Sequence, residues 1–111
     1  MKYDETIARL RSILPARARA ATKWKGRPAA VAALLVDRAG LAYVPLIVRG
    51  SDAPAHPGQI ALPGGRVAPS DRDVADAARR EAMEQLGVPP DRVEVLGVLD
   101  EVPTPAFRSV A

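Results

Sequence analysis

Apolar positions fall into a few blocks separated by breaker-rich stretches. In residues 4–14, DETIARLRSIL, Ile7, Leu10 and Leu14 recur at helical spacing. Asp4 and Glu5 occupy the first turn, where the helix dipole favours acids, and Pro15 closes the helix. Residues 16–28 are basic, contain Gly26 and Pro28, and have the composition of a connector. Two apolar runs, Ala29–Val36 and Leu41–Val48, flank Asp37-Arg38-Ala39-Gly40, which predicts a β-hairpin with both strands largely buried. Pro45 predicts an edge position or a bulge in the second strand. Residues 50–58 are a loop, and Gln59–Leu62 a short strand stopped by Pro63-Gly64-Gly65. Ser70 with Asp73 resembles a capping box for a helix over 71–86. Gly87 stands at the C′ position, followed by Pro89-Pro90. Val93–Leu99 is a further strand, and 100–111 has no clear structure. This order predicts a mixed α/β (α+β) domain with a mixed sheet.

The 111 residues suit one small domain, with 48% hydrophobic and 26% charged residues arguing for a globular chain. Cysteine is absent, which excludes a disulfide scaffold, a thiolate zinc site and a Cys nucleophile. No apolar run approaches the ~20 residues of a membrane span, and residues 1–25 hold no apolar signal segment, so a cytoplasmic protein without membrane contact is expected. Residues 1–28 carry eight Lys and Arg against Asp4 and Glu5, a formal +6, leaving −3 for the rest of a chain whose net charge is +3. Such a segment attracts polyanions or forms a solvated helix face. Aromatics are only 4% (Tyr3, Trp24, Tyr43, Phe107), and nothing reads as a recognition helix, so nucleic-acid binding is poorly supported.

The chemistry gathers on the second helix. Val74, Ala75, Ala78, Ala82 and Leu86 form its apolar stripe. Gln85 falls inside that stripe, and Glu81 on its border. Glu81, Glu84 and Gln85 are spaced i, i+3, i+4 and point one way from adjoining turns. An acid near a buried helix edge requires a cation or a metal. Two solutions follow: ion pairs with Arg66, Arg79 or Arg80, or oxygen donation to a hard divalent ion. The preceding Pro63-Gly64-Gly65 turn lets backbone approach a ligand closely. A phosphate-binding loop of the GxxxxGK[ST] type is absent.

Gly65, five residues, Asp71, eight residues, then Arg80-Glu81-Ala82-Met83-Glu84-Gln85-Leu86-Gly87-Val88 resembles the Nudix box, Gx5Ex7REUxEExGU, with U aliphatic. The upstream HPGQIALPGG (His56–Gly65) is similar to the HxGQxxFPGG segment of the coenzyme A pyrophosphatase branch, which shares the Asp for the first Glu and the extra residue before Arg-Glu. Gln85 replaces the last Glu of the box, Leu62 replaces Phe, and Pro54 stands where the branch has Arg. Thr104-Pro105-Ala106-Phe107 resembles a shortened TPSGF stretch.

The resemblance implies a Nudix-like α/β/α sandwich in 29–111, incomplete at its C-terminus, preceded by a basic helix and connector in 1–28. It implies metal-dependent hydrolysis of a pyrophosphate bond in a nucleoside diphosphate derivative, coenzyme A first. Mg²⁺ or Mn²⁺ would be held by Glu81, Glu84 and Gln85, with Glu81 alternatively the general base. Arg80 would orient the carboxylates by ion pairing. Gly64 or Gly65 would offer a backbone carbonyl, Asp71 would start the helix or cap it, and His56 and Gln59 would belong to the substrate segment. An amide at position 85 brings no charge, so weak activity is expected, with a gain on Gln85→Glu. The alternative is a catalytically impaired Nudix-fold remnant serving as a binding or assembly module. Exposed sheet edges would favour a homodimer.

Overall fold

The computed structural model describes residues 1–15, 27–51, 58–103 and 107–110. These form α1 (Tyr3–Ile13), β1 (Arg27–Val31), β2 (Val36–Arg38), β3 (Leu41–Tyr43), β4 (Ile47–Val48), β5 (Ile60–Ala61), β6 (Gly64–Arg66), α2 (Val74–Leu86), a 3-10 turn (Pro90–Arg92), β7 (Glu101–Pro103) and β8 (Phe107–Val110). Four strands make one mixed sheet in the order β6-β1-β8-β7. β1 runs antiparallel to β6 and parallel to β8, and β7 is antiparallel to β8. The mixed α/β class expected from the element order is present.

α2 lies against β1 and β6. Small residues make that approach possible: Ala29 and Ala30 on the strand side and Ala77 and Ala82 on the helix are buried, beside the fully buried Pro63. Of the expected stripe Ala82 is buried, while the other buried alanine of the helix, Ala77, lies outside it. Val74, Ala75 and Ala78 instead line an apolar cleft of about 510 Å³ together with Leu10, Leu14 and Leu96. Glu81, on the border of that stripe, is turned toward Gly65 of the sheet.

The hairpin is shorter and more exposed than its apolar runs predict. β2 pairs with β3 from Val36↔Tyr43 to Arg38↔Leu41, and most of its residues face solvent. The two-residue turn holds Ala39 at φ 52° and Gly40 at φ 83°, the positive pair that matches strand twist. Asp37 Oδ1 accepts from Gly40 N–H at 2.8 Å. Pro45 divides the second run, so that β4 pairs with β5 and not with the hairpin. α1 is fastened to β3 by Tyr3 N–H to Gly40 C=O and Ala42 N–H to Met1 C=O. β1 starts at Arg27, two residues before the expected domain limit.

Three other expectations are corrected. Val93–Leu99 forms no strand; β propensity needs a paired neighbour, and this segment instead walls the cleft, with Gly97 against Leu14. Pro63-Gly64-Gly65 does not end pairing, because Gly64 and Gly65 enter β6 opposite Val31 and Ala30. Residues 101–103 and 107–110 are strands despite Pro103, which lies on the sheet edge, where a missing N–H is tolerated. Among the described residues no helix is long and apolar enough to cross a membrane.

Candidate functional site

α2 starts one turn later than its sequence signals suggest. Asp73, not Ser70, is the N-cap, its Oδ1 accepting from Asp76 N–H at 2.8 Å. Gly87 closes the helix at φ 73°, donating to Met83 C=O at 2.9 Å. Between these caps, the i, i+3, i+4 spacing sets Glu81, Glu84 and Gln85 beside β6.

Asp71 therefore lies outside the helix, where it receives Arg80. Arg80 Nε and Nη2 donate to Asp71 Oδ1 and Oδ2, each at 3.0 Å, a bidentate fork. Asp71 also accepts from Ala68 N–H at 2.7 Å, and its side chain is only 4% exposed. The Arg80 hydrogen bonds, then the Ala68 N–H, hold its carboxyl below the ordinary 3.8, against the opposing effect of burial. The same pairing raises Arg80 further into its charged range, helped by Glu84. Arg80 Nη2 also donates to Arg66 C=O at 2.9 Å.

The remaining guanidinium nitrogen gathers the acids. Arg80 Nη1 lies 3.1 Å from Glu81 Oε1 and 3.2 Å from Glu84 Oε1. Both carboxylates thus reach one point. Glu81 is nearly buried and Glu84 is half-exposed, so the pair opens outward on the Glu84 side. Gly65 sits directly against Glu81: a Cβ there would fall 2.6 Å from Glu81 Oε1. Gln85 turns both halves of its amide onto Gly64, accepting from its N–H at 3.1 Å and donating to its C=O at 2.8 Å. Its Nε2 also donates to Glu81 Oε2 at 2.8 Å.

The structure therefore brings together Arg80, Glu81, Glu84, Gln85, Gly64 and Gly65, and adds Asp71 and the Arg66 carbonyl. Gln59 belongs to the β4–β5 ribbon, where its carbonyl accepts from Arg49 N–H at 2.8 Å. His56 lies outside the described residues. The Asp71–Arg80 fork escapes sequence reasoning because it depends on the path of residues 66–73, which has no period. Gln85 is exposed despite its place in the expected apolar stripe, so its contact with Gly64 also depends on the path of β6.

A divalent ion is compatible with this donor set. Glu81 and Glu84 are hard oxygen donors converging from adjoining turns. Among the described residues no cluster of three or more His, Asp or Glu side chains forms a closed metal cage. Mg²⁺ does not need one, since it commonly keeps several waters and takes one or two carboxylates plus substrate phosphates.

A Gly-rich strand under a helix bearing Arg-Glu and a further Glu is the arrangement of a family, and the chain belongs to it: the NUDIX domain model matches residues 26–111. Enzymes of this family generally use divalent metals such as Mg²⁺ or Mn²⁺. The chain is 38% identical over 102 residues to a protein of Enterobacter sp. (strain 638) named "Uncharacterized Nudix hydrolase NudL", covering 92% of this chain and 52% of that relative. A protein of the same name from Citrobacter koseri is 45% identical over 76 residues, 68% of this chain and 39% of the relative. The chain spans about half the length, or less, of these curated relatives.

Proposed function

We propose that this site hydrolyses the pyrophosphate bond of a nucleoside diphosphate derivative, with coenzyme A the first candidate and Mg²⁺ or Mn²⁺ as cofactor. The observation that carries the reading is the convergence of Glu81 and Glu84 on one guanidinium nitrogen, at 3.1 and 3.2 Å. Two carboxylates that accept from one cationic N–H together have the charge to hold a small divalent ion. Glu81 and Glu84 are the residues that would hold it. When bound, such an ion neutralises phosphate charge and lowers the pKa of a coordinated water.

The chain's own residues do the rest. Asp71 fixes Arg80 by two bonds, and Arg80 aligns both carboxylates. Gly65 leaves room for Glu81 where a Cβ would displace it. His56 and Gln59 are proposed substrate-segment residues on the strength of the HPGQIALPGG resemblance. The coenzyme A preference has the same support.

The test is chromatographic detection of phosphopantetheine and adenosine bisphosphate from coenzyme A, with and without Mn²⁺, alongside other nucleoside diphosphate derivatives. Metal-dependent turnover is expected, abolished in Glu81→Gln and reduced at least about tenfold in Glu84→Gln. Absence of metal-dependent turnover on every such substrate would leave the non-catalytic binding-module reading in its place.

A further inference from the structure

Gln85 stands where the family pattern has a metal-binding Glu, yet both N–H hydrogens of its amide and one lone pair of its oxygen are engaged within the protein. A primary amide carries one acceptor and one donor side by side, as a peptide unit does. In an antiparallel sheet, a hydrogen-bonded residue exchanges both its N–H and its C=O with one partner. Gln85 does this with Gly64: Oε1 takes the N–H at 3.1 Å and Nε2 gives to the C=O at 2.8 Å. The second Nε2 hydrogen goes to Glu81 Oε2 at 2.8 Å. The chemistry fixes the amide's orientation, because the reverse would set NH₂ against N–H and oxygen against oxygen.

We propose that Gln85 is a positioning residue, a side-chain strand partner that locks β6 to α2 and carries Glu81, and that it gives no oxygen to the cation. The proposal rests on the reading of Glu81 and Glu84 as the cation site, and it changes that site from three donors on α2 to two. Glu81 is gripped at both oxygens, by Gln85 Nε2 on one and Arg80 Nη1 on the other. Its position is thereby set before any ion arrives.

A carboxylate could not do this work. In Gln85→Glu the atom replacing Nε2 would be an acceptor 2.8 Å from two other acceptors, the Gly64 carbonyl and Glu81 Oε2. Three oxygens would face one another with no proton between them. The substitution that the family pattern favours should therefore weaken the metal-free protein.

The sequence makes the test clean. The chain has no Asn and two Gln, Gln59 and Gln85, so its side-chain amide spectrum holds two NH₂ pairs, assigned by their loss in Gln85→Leu. Both glutamines are exposed, but both Nε2 hydrogens of Gln85 are bonded, so in the full chain its pair should exchange with water at least about threefold more slowly than the Gln59 pair. Metal-free melting of Gln85→Leu and of Gln85→Glu should fall by about 3 °C or more, as loss of the three solvent-exposed hydrogen bonds of Gln85 implies. The Glu81 carboxyl carbon should shift in metal-free Gln85→Leu while that of Glu84 stays, which a purely structural role would not produce. Titration with Mg²⁺ should move the Glu81 and Glu84 carboxyl carbons and leave the Gln85 amide in place. Equal exchange of the two amide pairs, or an unchanged or raised metal-free melting temperature in Gln85→Glu, would overturn the proposal. So would a Gln85 amide that shifts with Mg²⁺ as far as the two carboxylates. If Mg²⁺ moves neither carboxylate, the cation-site reading fails, and the positioning role is still decided by exchange, melting and the metal-free Glu81 shift.

Discussion

Asp71→Asn removes one charge and one acceptor from the most buried ion pair among the described residues. The wild-type carboxylate takes two bonds from Arg80 at 3.0 Å and one from Ala68 N–H at 2.7 Å, with its side chain 4% exposed. Breaking a fully buried pair costs about 3–5 kcal/mol. Arg80 is 30% exposed and keeps Glu81, Glu84 and the Arg66 carbonyl, so the loss here should be smaller, about 2 kcal/mol. In a domain of this size that is about 10 °C in melting temperature. The pH dependence is the sharper readout. Asp71 has a lowered pKa in the folded state, so its contribution is complete above 3.8, the ordinary value, and is lost as pH falls through the folded value. Urea melts should give a constant gap between wild type and Asp71→Asn from pH 7 to about 4, narrowing below it. A gap under about 0.5 kcal/mol at pH 7, or one that persists unchanged in acid, would refute the role given to this pair.

Three further outcomes follow from particular contacts. Gly65→Ala places a methyl 2.6 Å from Glu81 Oε1, forcing the carboxylate off its bonds to Arg80 and Gln85, so melting should fall and metal-dependent turnover drop at least about tenfold; full turnover would contradict the packing. Ala39→Asn should stabilise the protein by about 0.5–1 kcal/mol in urea melts, because Asn tolerates the φ of 52° better than Ala; a loss of stability would count against the turn. Val48 and Ile60, paired across β4–β5, are 69% and 68% exposed, and the expected outcome in light scattering is an association that falls when both are replaced with Thr; a monomeric wild type or an unchanged association would contradict a contact through this ribbon.

The second helix and its acids were legible in the sequence because they are periodic. The spacing of Glu81, Glu84 and Gln85 set them on one side, and Gly87 marked the end. That an arginine would pair with the acids was likewise readable, but the choice of Arg80 over Arg66 and Arg79 was made by the fold. What escaped was decided by tertiary pairing. Gly64 and Gly65 read as a strand stop, yet they pair with β1 because small residues let α2 lie over both strands. Val93–Leu99 has strand composition but no strand beside it. Of the expected stripe only Ala82 is fully buried, and it is joined by Ala77 from outside it, since the closest approach to the sheet is made by the smallest side chains.

The central claim is that Glu81 and Glu84 jointly hold one divalent ion. Calorimetric titration of Mn²⁺ into the full chain, with Glu81→Gln and Glu84→Gln in parallel, tests it most directly. The account predicts a single site in the wild type that weakens at least about tenfold in each variant. Heat of binding that is absent in the wild type, or equal in all three proteins, would contradict it.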